Sequence, residues 1–135
     1  MITYREIKEI ESEQLMDLYQ SVGWVSYTAN FARLKKGVAN SLKVVTAWQE
    51  DRLVGLIRVV GDGQTIVYIQ DILVNPTFHG KGIGSELMKR ILAEYQEVRQ
   101  TVLMTEEAPD IRHFYEKHGF NSCDQGQAVS FAIFK

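Results

Sequence analysis

Apolar and polar positions alternate from 2 to 7, and this period of two predicts a strand. From Ser12 the period changes. Leu15, Leu18, Tyr19 and Val22 recur at helical spacing, which predicts a helix to about Val22, capped by Ser12 and stopped by Gly23. A second helix is predicted over 29–40 with Thr28 as its cap. Strand-like runs follow at 42–48 and 53–60, joined by Gln49-Glu50-Asp51-Arg52, and Gly61-Asp62-Gly63 makes the next turn. A long strand over 65–74 stops at Asn75-Pro76. The clearest helix runs over 82–98, with Ile83, Leu87, Ile91 and Tyr95 as an apolar stripe beside Met88 and Leu92. A strand at 101–105 and a helix at 110–118 follow; Pro109 starts that helix and Gly119 ends it. Alternation over 128–134 predicts a last strand. The order describes one mixed α/β domain, 1–135. The strands on either side of the long helix should run parallel, because a helical crossover joins them.

The composition does not disturb this picture. With 135 residues, 45% hydrophobic and 24% charged, the chain is long enough to fold around its own core. A formal charge of −2 argues against a nucleic-acid partner, which demands many phosphate contacts. The longest apolar runs are strand-sized, so no membrane span is expected. The single cysteine, Cys123, allows no intrachain disulfide, and the charged start is not a signal peptide; both fit a cytoplasmic protein. The three histidines and Cys123 have no ligand spacing, so no metal is expected.

The candidate chemistry begins where the long strand meets the long helix. The segment ILVNPTFHGKGIGSEL, 72–87, places Gly80, Gly82 and Gly84 at the start of a helix. Glycine lets backbone approach a ligand closely, and a helix N-terminus offers unpaired N–H groups and partial positive charge, a combination suited to pyrophosphate. The P-loop pattern does not fit these residues. The dinucleotide pattern fails as well, because its third glycine falls on Ser85 or Leu87.

Read as His79-Gly80-Lys81-Gly82-Ile83-Gly84 after Ile72-Leu73-Val74-Asn75-Pro76, the segment resembles the acetyl-coenzyme A loop of the GNAT superfamily of N-acetyltransferases. His79 departs from the Gln or Arg usual there. A second match is Phe114-Tyr115-Glu116-Lys117-His118-Gly119-Phe120. The resemblance covers essentially the whole chain. It implies a GNAT-type fold, with a central mixed sheet of about six or seven strands and about four helices. It also implies an acetyl-coenzyme A co-substrate, with backbone groups of Ile72, Leu73 and Val74 pairing to the pantetheine arm. The loop His79, Gly80, Lys81, Gly82, Ile83, Gly84 and Ser85 would hold the pyrophosphate. The expected activity is transfer of acetyl to a primary amine by direct attack in a ternary complex. A non-catalytic acyl-coenzyme A sensor is the alternative, and a homodimer is compatible with either.

In the resemblance Tyr115 is the general acid. A departing thiolate has a reference pKa near 8.5 and tyrosine one near 10, so proton transfer is nearly matched; the other reading of Tyr115 is a packing residue with a bonded hydroxyl. The base is open. Asp71, in an apolar run, is a candidate, and its other reading is a buried acid paired with Arg58 or a backbone N–H. Glu106 and Glu107 read as a solvated loop. Trp24, Tyr27 and Phe31 are crowded between the first two helices and either line the acceptor site or form a satellite core. This region, with DILVNP and FYEKHGF, is loosely similar to the arylalkylamine (serotonin-type) branch, which suggests a small amine with an apolar or aromatic body.

Overall fold

The computed structural model describes all residues, 1–135. The backbone divides into two compact units, Met1–Met104 and Thr105–Lys135.

The first unit is built on a five-stranded sheet in the order β1-β2-β3-β4-β5, with β1 at Ile2–Arg5, β2 at Lys43–Gln49, β3 at Arg52–Gly61, β4 at Ile66–Val74 and β5 at Gln100–Leu103. All neighbours are antiparallel except β4 and β5, which run parallel, as the helical crossover between them requires. The β2–β3 turn is the expected tight one, since Gln49 pairs with Arg52. The β3–β4 turn is held by Asp62, whose carboxylate accepts the N–H groups of Gln64, Thr65 and Ile66 and the Thr65 hydroxyl.

Helices cover both faces. On one face, Leu15, Leu18 and Tyr19 of α1 (Ser12–Ser21) and Leu34 and Val38 of α3 (Phe31–Ala39) form a buried cluster with Val44, Trp48, Leu53, Leu56 and Leu73 of the sheet. On the other face lies α4 (Ile83–Glu94), burying Ile83, Leu87, Met88 and Ile91. Each such side chain contributes roughly 1.5–3 kcal/mol by leaving water. Gly55 decides how closely α4 lies on the sheet. A Cβ there would stand 3.1 Å from Ile83 Cγ2 and 3.4 Å from Leu87 Cδ1, and Gly55 pairs with Val74, the last residue of β4. The missing side chain therefore brings the start of α4 up to the end of β4. No helix is long and apolar enough to cross a membrane.

The second unit holds α5 (Pro109–Lys117) and a 3-10 turn at Cys123–Gln125. Arg112 ties them together, donating to Glu107 at 2.5 and 2.7 Å and to Asp124 at 3.1 Å.

Several expectations are corrected. The strand predicted over 128–134 is absent, so the sheet has five strands rather than six or seven. Val129, Phe131, Ile133 and Phe134 are exposed. Alternation supplies an apolar face, but a strand exists only where another backbone pairs with it. The helix expected over 29–40 is α3, while the short helix α2 (Val25–Thr28) before it was not expected; the two bring the count to five helices, and Thr28 ends a helix instead of capping one. Ser12 is the first residue of α1 rather than its cap, and its hydroxyl accepts from Lys35 Nζ at 2.5 Å. The long helix stops at Glu94, four residues before Val98.

Candidate active site

The sheet opens at β4. Pairing with β5 ends at Ile69, opposite Leu103, whereas pairing with β3 continues to Val74. Residues 71–74 therefore pair on one side only. A bulge lies at this point. Ile69 pairs with Val59 and Asp71 with Arg58, the adjacent residue, so Gln70 has no partner. The extra residue also inverts the alternation. Arg58 and Val59 point to opposite faces, and so do their partners Asp71 and Ile69. Asp71 is thus delivered to the face of α1, where two residues of regular strand would have returned it to the face of Ile69.

The open edge offers backbone hydrogen bonds. Asn75 donates its N–H to Val54 on β3 at 2.8 Å, so by strand alternation Val74 and Ile72 present their backbone groups to the open side and Leu73 does not. Leu73 is also buried in the core. His79 bonds this edge: its Nε2 lies 2.9 Å from the Val74 carbonyl, which can only accept, so Nε2 carries the proton. The residue that departs from the usual Gln or Arg thus ties the loop to the strand it follows.

Beyond the 3-10 turn Pro76–Phe78, Gly80 and Gly82 have φ of 79° and 77°, and a Cβ on either would meet nothing within 4 Å. Left-handed backbone at both turns the chain sharply into α4 and leaves room over the loop for a ligand. The first bond inside α4 runs from the Glu86 N–H to the Gly82 carbonyl, so the N–H groups of Ile83 and Gly84 have no acceptor within the helix. Exposed Lys81 adds positive charge, and Ser85 completes the first turn. Gly80, Gly82, Ile83 and Gly84 thus set backbone beside open space at a helix start, an arrangement chemically suited to an anion of pyrophosphate type. No three or more His, Cys, Asp or Glu side chains are grouped to hold a metal ion.

Beside Tyr27 lies a buried polar network. Asp71, 3% exposed, accepts from Arg58 Nε at 2.5 Å and Tyr19 Oη at 2.8 Å on Oδ2, and from Tyr27 Oη at 2.9 Å on Oδ1. Arg58 also donates to the Gly37 carbonyl, Ser41 Oγ and Tyr27 Oη at 3.3–3.5 Å. Burial disfavours the Arg58 charge, but Asp71 and the two tyrosines more than restore it, so the guanidinium titrates above its ordinary value. Burial, then the charge of Asp71, pushes the hydroxyls of Tyr19 and Tyr27 up, so both remain protonated donors. Asp71 is the paired acid of its second reading. Tyr19 was legible only as a core residue by helical spacing; its role as a donor to Asp71 depends on the bulge.

Trp24 and Tyr27 stack edgewise and tilted around Tyr19, with centroids 5.4–6.1 Å apart, and Phe31 packs on the same core. Trp24, Tyr27 and Phe31 are all partly exposed. Tyr27 also accepts a bond from exposed Gln70 Nε2 at 3.0 Å, which ties this aromatic segment to the bulge.

In the second unit Tyr115 is half-buried between Phe114 and Phe120, with centroids at 5.2 and 5.8 Å. Burial raises its hydroxyl above the ordinary value of tyrosine, and a side-chain bond with Thr105 pulls the other way. At neutral pH it is a protonated hydroxyl able to donate.

The family model for the acetyltransferase (GNAT) domain matches residues 24–132. An uncharacterized N-acetyltransferase of Prochlorococcus marinus is 31% identical over 134 residues, 95% of this chain and 72% of the relative. One from Porphyra purpurea is 28% identical over 117 residues, 84% of this chain and 66% of the relative. The structure of a GNAT-family acetyltransferase from Streptococcus pneumoniae TIGR4 superposes with a TM-score of 0.89 at 35% identity, covering 100% of this chain and 98% of that one. Open strand edge, glycine cradle and helix start agree with these similarities, and the chain belongs to the GNAT family of acetyltransferases.

Proposed function

We propose that the protein transfers the acetyl group of acetyl-coenzyme A to the primary amine of a small molecule, by direct attack in a ternary complex. The observation that carries this is the one-sided edge of β4 running into a glycine-lined helix start. Ile72 and Val74 would bond the pantetheine arm like a neighbouring strand, and the N–H groups at 80–84 would hold the pyrophosphate. The bound co-substrate supplies an activated acyl group whose departing thiolate needs one proton. Tyr115 would give that proton from Oη, and the acceptor nitrogen must arrive as the neutral amine, which gives up one N–H proton as the amide forms. The match across 24–132 supports reading both units as one catalytic domain. The single cysteine is in keeping with a reducing compartment such as the cytoplasm.

Calorimetry with coenzyme A should show binding that neither ATP nor NAD displaces. Gly82→Leu should weaken it at least tenfold, because a side chain enters the space over the loop and left-handed φ costs roughly 1–2 kcal/mol. No heat and no thermal shift at millimolar coenzyme A would rule the reading out.

The acceptor follows from Trp24, Tyr27 and Phe31, whose partly exposed rings favour an apolar or aromatic amine. Free-thiol release should be faster with 2-phenylethylamine than with a lysine peptide. A peptide that outperforms every small amine would reverse this assignment.

A further inference from the structure

We propose that Gln70 orients the acceptor, presenting its side-chain carbonyl oxygen to an N–H of the nitrogen about to react. The inference deepens the proposed function and rests on it, since the open edge beside Gln70 is where the acyl group is taken to lie.

Two observations place Gln70. It is the bulged residue, one position past the last β4–β5 pair, and so it stands at the mouth of the opening. Its exposed side chain reaches Tyr27, a residue of the aromatic acceptor wall. It is therefore the polar group that links the wall to the open edge.

The direction of its amide follows from the buried network. Arg58 can only donate, and the Asp71 carboxylate, in its ion pair with Arg58, accepts. Tyr27 lies 2.9 Å from Asp71 Oδ1 and must spend its one proton there. Its oxygen then has only lone pairs left, so the contact at 3.0 Å requires Gln70 to donate through Nε2. A planar amide that turns its NH₂ to Tyr27 turns Oε1 away from it. The Arg58–Asp71 pair, though itself buried, thus decides that the mouth of the site displays a hydrogen-bond acceptor. That suits a substrate nitrogen with protons to give and rejects an approaching carboxylate. An N–H held by Oε1 also fixes the direction of the nitrogen lone pair, the requirement for attack.

The test compares wild type with Gln70→Met, Tyr27→Phe and the double variant. Each is measured for coenzyme A affinity, melting temperature and kcat/KM with 2-phenylethylamine. Calorimetric binding of that amine to the coenzyme A–saturated protein gives a readout independent of turnover. Gln70→Met should lower amine affinity and kcat/KM about tenfold, the loss of one hydrogen bond to a polar substrate group. Coenzyme A affinity and melting temperature should not move, because Gln70 is exposed. Tyr27→Phe releases the Gln70 amide from its fixed direction, so the double variant should be no worse than the more impaired single one. Unchanged amine affinity in Gln70→Met, with coenzyme A binding intact, overturns this proposal and leaves the acetyltransferase reading standing. Failure of wild type to bind coenzyme A overturns both.

Discussion

Replacing Tyr115 with phenylalanine is expected to lower kcat and kcat/KM together by about 10²–10³ while coenzyme A affinity stays near that of wild type. The change removes only a hydroxyl, so the edge contacts with Phe114 and Phe120 survive. A group that acts only in the transition state takes equal shares from both kinetic constants. The loss corresponds to about 3–4 kcal/mol, more than one neutral hydrogen bond contributes. The pH dependence gives a second reading. Tyr115 must be protonated to act, and burial raises its hydroxyl above tyrosine's ordinary value of 10.0. The rate should therefore not fall between pH 7 and 9 on its account, and its loss lies above pH 10. In the same range kcat/KM rises as a basic amine, with pKa near 10, loses its proton. If kcat is unchanged when chemistry is rate-limiting, Tyr115 leaves the mechanism. Lower melting temperature with normal turnover would assign it to packing.

Asp71→Ala should cost about 3–5 kcal/mol of stability, because it strands the buried Arg58 charge and removes the acceptor of two tyrosine hydroxyls. For a chain of this size that is a fall of roughly 10–20 °C in melting temperature. The mechanism makes a sharper claim: removing both charges, as Arg58→Met with Asp71→Leu, should cost less than Asp71→Ala alone. Scanning calorimetry on the three proteins decides it. A double variant less stable than Asp71→Ala would mean that the pair is net stabilising rather than merely balanced. A fully folded Asp71→Ala with wild-type melting temperature would mean that the network holds nothing together.

The site was legible where chemistry is local. Glycines at 80, 82 and 84 announce a backbone that must come close to something, and the structure places two of them at positive φ with open space above. The helix period of Ile83, Leu87 and Ile91 and the crossover that forces β4 and β5 parallel were equally readable. Residues 128–134 misled because the pattern of a strand is a property of one segment, whereas its existence depends on a second.

Asp71 marks the boundary between the two. Its identity, and the presence of an arginine to pair with it, are written in the chain. Which face it occupies is not, because one bulged residue at Gln70 inverts the alternation, and a bulge is a relation between β3 and β4 rather than a motif in either. The bond from Tyr27 to Asp71 and the direction of the Gln70 amide follow from that inversion across separations of 13 to 52 residues. The sequence by itself determined the family and the glycine-rich start of α4, and it named the candidate acid, since each rests on neighbouring residues acting through local backbone geometry. Only the tertiary structure decided where the sheet opens and which groups face the opening, since strand register and burial depend on contacts that no short stretch of chain contains.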